Sequence, residues 1–264
     1  MPDDTADRRA IVHTALLTPS PLAGYQAGPM RRAVHGDVVL SAGLDFHHAL
    51  VLGPVASERV FALAATFFEG KGGYHVELDV KAAGEVERAL LSQGWRLDEE
   101  EPALVLPELP PVAPPAPTEL DIRPVTDEAG LADFFALSAA AARWVPSLAA
   151  ATDPAVALFV GYVDGRPAAT SRLACFGRVT EITGVTTVSE LRRRGYGTAM
   201  TWAAIAEGAQ RGCTAAMLTA TAMGYPVYVR MGFRPVCTFR TYLPLEDRAD
   251  ISESSGRVSA VPRT

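Results

Sequence analysis

The sequence predicts an α/β (α+β) protein with a mixed sheet flanked by helices, in two tandem units of which the first is the fainter. Three observations carry this. Strand and helix patterns alternate from 119 to 243 in the order β-α-β-β-β-α-β-α-β, which calls for a sheet with helices on both faces. A glycine loop, Arg192-Arg193-Arg194-Gly195-Tyr196-Gly197-Thr198, lies between a β-branched run (Val185, Thr186, Thr187, Val188) and an alanine-rich helical stretch. Residues 107–117 hold six prolines and cannot pair inside a sheet, so they form a semi-rigid linker between the units.

In the second unit, 119–125 reads as a strand, and Thr126 caps a helix on which Leu131, Phe134, Phe135 and Leu137 keep helical spacing. Strands at 156–163 and 168–175 are joined by Asp164-Gly165, a hairpin signal. A strand over 179–188 feeds the glycine loop. The helix over 197–209 ends near Gly212, and a strand over 215–221, a short helix over 225–231 and a last strand over 233–243 complete the unit.

In the first unit, strands are expected at 32–40, 49–55, 74–80 and 103–106, with helices at 58–68 and 85–91. Its end echoes that of the second: Gly94-Trp95-Arg96 leads through an apolar strand to Leu106-Pro107, as Gly232-Phe233-Arg234 leads to Leu243-Pro244. This has the form of a worn tandem repeat. The domains expected are thus 9–106, the linker 107–117, 118–244 and a flexible tail 245–264, with the start of the chain (1–8) also frayed.

Composition narrows the function. The net charge is -6 at pH 7, and the acidity belongs to residues 1–117, with 9 Lys+Arg against 16 Asp+Glu. A general nucleic-acid binder needs a basic face, so that class is excluded, and a small cationic substrate suits the charge better. Cys175, Cys213 and Cys237 lack metal or redox spacing and read as buried thiols. The histidines, His13, His35, His47, His48 and His75, all lie in the first unit and form no metal-ligand pattern, so no metal is expected. The start of the chain lacks the apolar core of a signal peptide, and the largely apolar stretch 60–68, which includes Thr66, is too short to span a bilayer. A cytoplasmic protein without membrane contact is expected.

The glycine loop is a ready anion site, because helix-start N–H groups have no intrahelical acceptor and the helix dipole favours negative charge. A third glycine at Met200 is missing for a dinucleotide fingerprint, and a Lys-Ser/Thr pair is missing for a P-loop. A nucleotide oxidoreductase is excluded on the same ground.

Arg192-x-x-Gly195-x-Gly197 resembles the pyrophosphate loop of the GCN5-related N-acetyltransferases (GNAT). Three neighbours strengthen the resemblance: Thr187-Val188-Ser189-Glu190-Leu191 before the loop, with Ser189 where the family has proline; the strand at 215–221; and Tyr228-x-x-x-Gly232-Phe233, similar to the family's Y-x-x-x-G-F segment. The asparagine common after that strand is replaced by Thr221-Ala222-Met223. The resemblance covers about 118–244. It implies a GNAT-like fold and acetyl-CoA as cosubstrate, with Thr187, Val188, Arg192, Arg193, Arg194, Gly195, Gly197 and Thr198 holding coenzyme A. An irregularity near Thr187 and Val188 would free backbone groups for pantetheine and give an N–H to the thioester oxygen. Tyr228 stands where relatives place the general acid, and Glu181 where some place the base.

The activity this implies is N-acyl transfer, most simply of acetyl to a primary amine by direct attack in a ternary complex; a non-catalytic coenzyme A-binding or ligand-sensing module is the alternative. No cysteine or serine motif proposes a covalent route. The acceptor, a small molecule or peptide amine, would sit around 139–153 and against whatever the first unit adds. A homodimer is left open.

Overall fold

The structure is a computed structural model that describes residues 4–18, 31–42, 47–71, 73–110, 112, 114–138 and 147–244. The first half runs α1 (Asp4–Leu17), β1 (Arg31–His35), β2 (Val38–Ala42), β3 (His47–Val51), α2 (Ser57–Phe67), β4 (His75–Asp79), α3 (Gly84–Ser92) and β5 (Arg96–Leu106). The second runs β6 (Asp121–Pro124), α4 (Glu128–Leu137), α5 (Leu148–Ala151), β7 (Val156–Val163), β8 (Arg166–Phe176), β9 (Val179–Thr187), a 3-10 turn (Ser189–Leu191), α6 (Tyr196–Gln210), β10 (Ala215–Thr219), α7 (Tyr225–Arg230) and β11 (Arg234–Leu243).

All the strands join one sheet of order β1-β2-β3-β4-β11-β5-β10-β9-β8-β7-β6. Each half ends on a strand that lies inside the other half. β5 is antiparallel to β10 on one side and to β11 on the other, while β11 is antiparallel to β4. The pairing is symmetric about the β5–β11 contact: β3 with β4 and β9 with β10 are the parallel pairs, and α2 and α6 are the crossovers between them. The echo between Trp95 to Pro107 and Phe233 to Pro244 is therefore an echo between topologically equivalent strands that pair with each other. The linker's described residues carry no helix or strand and connect the middle of the sheet to its edge, with the Leu109 N–H donating to Thr214 O at 3.2 Å.

Both faces are covered. On one, α2 and α3 bury Val38, Leu40, Val51, Val76 and Leu78, and α6 buries Phe159, Leu173, Ile182 and Leu218. On the other, α4 and α5 bury Val156, Leu158 and Val160, and α1 covers Leu50, Leu52, Val105 and Phe239. α6 lies close to β9: a Cβ added at Gly208 would come within 2.9 Å of Thr180 Cγ2, so a glycine here sets how near the helix approaches.

Several elements differ from expectation. The frayed start at 1–8 is instead helical from Asp4, because α1 is held by tertiary contacts that local periodicity does not show: Val12 and Ala15 are buried, and two polar side chains reach the sheet. The expected strand at 32–40 is a hairpin broken at Gly36 and Asp37. The cap of α4 is Asp127, whose carboxylate accepts from the Gly130 N–H at 2.8 Å, and not Thr126. Asp164 and Gly165 both take positive φ (51° and 74°), as a primed two-residue hairpin turn requires. The expected tail 245–264 lies outside the described residues.

α1 is fastened through Asp79, a fully buried carboxylate. It accepts from Arg9 Nε at 2.7 Å, from His13 Nε2 at 2.9 Å and from the Lys81 N–H at 3.1 Å. Burial works to raise its pKa, but the bonds from His13 and Arg9, the Arg9 charge and the Lys81 N–H outweigh it and hold the carboxyl below its ordinary value. His13, Asp79 and Cys237 also bring ligand-type atoms within 4.8 Å of one another, a grouping across both halves that sequence spacing hid. Arg9 already fills the charge requirement of Asp79 there. Asp79→Asn should destabilise the fold by about 2–3 kcal/mol at neutral pH, below the usual cost of breaking a buried pair because Arg9 keeps some exposure to water. The depressed pKa contributes stability that is complete above the unfolded value and lost as pH falls through the folded one. The gap in Tm between wild type and variant should therefore narrow as pH is lowered from about 6 to about 3, measured by thermal unfolding across that range.

Candidate functional site

The glycine loop sits at the start of α6, directly after β9. Gly195 is the helix N-cap, with φ 84° and ψ 0° in the left-handed region, which is why glycine stands there. No side chain caps the helix. From Arg193 to Thr198, no N–H meets an acceptor among the described residues, and the first bond of the helix is from Ala199 N to Gly195 O at 2.9 Å. Six consecutive donors are thus left for a ligand. The arginine triplet is exposed but not uniform. Arg192 Nε donates to Thr187 O at 3.1 Å and ties the loop to β9, while Arg194 lies near Glu119, which accepts from the Tyr196 hydroxyl at 3.0 Å. Arg193 makes no ion pair among the described residues. A groove of about 510 Å³, lined by Val163, Asp164, Arg166, Pro167, Val188, Glu190 and Leu191, flanks the approach to the loop.

Next to this loop the sheet opens. β9 pairs with β10 over Val179, Thr180 and Glu181, and residues 182–187 of β9 have no partner on β10. β10 continues along β5 and β9 along β8, so the two parallel strands diverge and leave a wedge with Glu181 at its apex. The expected irregularity near Thr187 and Val188 lies elsewhere. Thr187 pairs with Ala169 in register, and the Val188 N–H is taken by Ala168 O at 3.0 Å. The bulge falls between the Thr170–Thr186 and Arg172–Thr183 pairs, at Gly184, which takes a φ of 61°. A one-residue insertion in a strand turns on local backbone geometry, which glycine permits and the β-branched run after it does not reveal.

The two expected acid–base groups lie on opposite sides of the sheet. Tyr228, on α7, packs with the core beneath α6 and meets Phe233 edge-on at 5.9 Å. Gly224 makes room for it: a Cβ there would stand 2.9 Å from Tyr228 Cε2. Burial raises the pKa of the phenol, the bond with Thr201 of α6 opposes this and Glu101 adds to the rise, so Tyr228 keeps its proton. Glu181 pairs with Ala174 and alternates with Ile182, so it faces the α4 and α5 side while Ile182 faces α6. Burial raises its pKa against the opposing pull of Arg172, and Glu77 of the first half adds to the rise.

Two groups here escaped sequence reasoning. Arg172, in the middle of β8, shares the face of Glu181 and is 9% exposed; the signal was a lone cation inside the otherwise apolar and small run 168–175. Glu101 comes from β5, the strand lent by the first half. It flanks Phe239 opposite Asp79, as Glu99 and Glu77 flank Thr241, so carboxylates from both halves share one face. The alternating acidic positions Glu99 and Glu101 were visible in the sequence, but not their neighbours. The expected acceptor region is described over 147–153, where Ser147 caps α5 at the Ala150 N–H; 139–146 lies outside the described residues. The thiols Cys175 and Cys213 are 3.4 Å apart, a pairing that their 38-residue separation concealed. No described helix is long and apolar enough to cross a membrane.

Residues 124–233 match the family model "Acetyltransferase (GNAT) family". No curated protein matches the chain. Among solved structures, a GCN5-related N-acetyltransferase from Kribbella flavida is similar with a TM-score of 0.68 at 19% identity, over 93% of this chain and 96% of that one. An acetyltransferase of the GNAT family from Novosphingobium aromaticivorans gives 0.55 at 19%, over 91% and 98%. A tandem GNAT protein from the clavulanic acid biosynthesis pathway gives 0.57 at 13%, over 91% and 95%. These likenesses extend along nearly the whole chain, first half included, and concern the fold. The glycine loop and the open wedge both lie within the residues that match the acetyltransferase (GNAT) family model, and the whole chain shares the fold of GCN5-related N-acetyltransferase structures.

Proposed function

We propose that this protein is an acyl-CoA-dependent N-acyltransferase that moves acetyl from acetyl-CoA to a primary amine by direct attack in a ternary complex. The observation that carries this reading is the row of six unpartnered N–H groups, Arg193 to Thr198, opening beside the wedge between β9 and β10. The residues present fit coenzyme A. Helix-start donors and three arginines suit a pyrophosphate, and the unpaired edge of β9 from 182 to 187, with Thr187 and Val188 at its end, suits the amides of pantetheine. When bound, acetyl-CoA supplies the thioester whose acetyl group is transferred.

The placement of Tyr228 and Glu181 on opposite faces supports a single displacement through the wedge. Glu181 receives a proton from the incoming ammonium on the α4 side, where burial makes the carboxylate more basic than an exposed one. The new C–N bond would form as the C–S bond breaks, Tyr228 would give its proton to the departing sulfur on the α6 side, and the second proton shed by the new amide nitrogen would restore the phenol. Because the Val188 N–H is engaged, the bulge at Gly184 takes its place as the proposed source of a backbone donor to the thioester oxygen.

Saturation with acetyl-CoA should stabilise the fold by about 2.7 kcal/mol at roughly 100 times Kd, and Arg193→Glu should remove most of the thermal shift while leaving the unliganded Tm in place. An unchanged shift in that variant would remove the loop from the cofactor site. Tyr228→Phe should lower kcat by about 10²-fold with little change in acetyl-CoA affinity; equal turnover would end its role as acid. For Glu181, kcat/KM should fall as pH drops, because the base must be unprotonated, with an apparent midpoint above the ordinary 4.5. Glu181→Gln should lose that limb and most of the turnover. Acetyl-CoA binding without transfer to any amine would favour the ligand-sensing alternative.

A further inference from the structure

Arg172 is a buried charge with no ion pair among the described residues. It sits in the central part of β8, between Leu158 of β7 and Thr183 of β9, and it is 9% exposed. Its Nε is shielded from solvent and has no hydrogen-bond acceptor. Among the described residues the guanidinium donates no hydrogen bond and makes no ion pair. The carboxylate close enough to influence it is Glu181, yet no N–O distance between the two is as short as 4.0 Å. Across the ladder, the Thr183 hydroxyl is also buried and without a partner. Arg172 and Thr183 are directly paired, so both stand on the face that carries Glu181.

A guanidinium stays charged at any physiological pH, and a buried unpaired charge is among the costliest features a fold can hold. An apolar side chain would fill the same strand position without that cost. Such a group is explained by an anion that is not part of the chain. The place is specific. A Cβ added at the Gly184 bulge would lie 3.6 Å from Phe134 Cζ, 3.7 Å from Ser138 Oγ and 3.9 Å from Arg172 Cβ. The arginine is therefore rooted beside the bulge, at the C-terminal end of α4 and on the α4 side of the wedge.

We propose that the acceptor is an amino carboxylate, whose carboxylate is received by Arg172 with Thr183 beside it while its amine is presented to Glu181. The inference rests on the N-acyltransferase reading for the identity of this face as the acceptor side. A planar guanidinium pairs with both oxygens of a carboxylate, and the separation from Glu181 leaves room for an amine at one end and a carboxylate at the other. The carboxylates Glu77, Glu99 and Glu101 on the same sheet face suit the cationic end of such a zwitterion and leave Arg172 as the feature that reads its anion.

The test is equilibrium binding by calorimetry, with coenzyme A present, of free amino acids with small, acidic, basic and aromatic side chains, together with β-alanine and 4-aminobutyrate, each beside its own carboxamide. At least one acid should bind about tenfold or more tighter than its carboxamide. Arg172→Met should abolish that preference, and Arg172→Lys should restore part of it. Acetyl-CoA binding, read in the same variants, should stay as in wild type and shows that they are folded. Failure of every acid to outbind its carboxamide, or a preference that survives in Arg172→Met, would overturn the proposal. Transfer assays on the same panel separate the two readings: carboxylate-dependent binding without acetylation defeats the transferase but supports Arg172 as the anion reader. Acetylation of carboxyl-free amines as fast as of the acids supports the transferase and defeats the amino carboxylate.

Discussion

The fold turns on one contact, the antiparallel pairing of β5 with β11 at the middle of the sheet. Each of these strands is the last of its own half, and each is inserted next to a strand of the other. Ala103, Leu104, Val105 and Leu106 of β5 are buried against β10 and β11, and each large aliphatic side chain so covered contributes roughly 1.5–3 kcal/mol. Without β5, strand β10 would present an unpaired edge beside the site, and without β11 the same would hold for β4. The division of the sequence at the proline-rich segment is thus not a division of the hydrogen-bond network. The first half supplies part of the wall against which the candidate site is built, and through Glu77, Glu99 and Glu101 it supplies charge as well.

The wedge follows from the same arrangement. β10 is drawn along β5 by four pairs, while β9 is held by β8 and curves at the Gly184 bulge. Two parallel strands bound to different neighbours separate after three pairs, and the separation leaves the edge of β9 over 182–187 without a partner on β10. Backbone polar groups shielded from water require partners, so a gap of this kind suits the extended ligand proposed above, which carries its own amides. The close seat of α6, fixed by the contact between Gly208 and Thr180, brings the helix N-terminus to the same opening. Charge at one end and hydrogen-bonding edge at the other are thereby set in line by packing alone.

The second half was largely legible in the sequence because its signals are local. The hairpin at Asp164-Gly165, the glycine loop before an alanine-rich helix and the Tyr228 to Phe233 segment each carry their own backbone geometry. What escaped depends on partners distant in sequence. α1 has little helical amphipathicity and is fixed by Asp79, some 70 residues on; Arg172 is one cation within a strand, and only the fold shows that it has no ion pair among the described residues; the Cys175–Cys213 contact spans 38 residues. The strand exchange is the clearest case. The echo between the two C-terminal strands showed that they were alike, but likeness does not say which strand pairs with which, and register is set by the whole sheet.

The two halves also differ at equivalent places in a way that charge explains. The junction of β3 with α2 corresponds to the junction of β9 with α6 that bears the glycine loop. In the first half it reads Leu52-Gly53-Pro54-Val55-Ala56 and has no arginine, and Pro54 offers no N–H at all. The Ser57 N–H at the start of α2 donates to Glu85 Oε1 at 3.0 Å, and a Cβ at Gly53 would collide with the carboxylate of Asp37. A helix N-terminus that already holds the protein's own carboxylate gains nothing from a phosphate and would repel one. At α6 the same position carries three arginines and six open donors. The electrostatic sense of one junction is the reverse of the other, which supports one cofactor-binding half and one half kept for the strand, the covering helices and the acidic face that it provides.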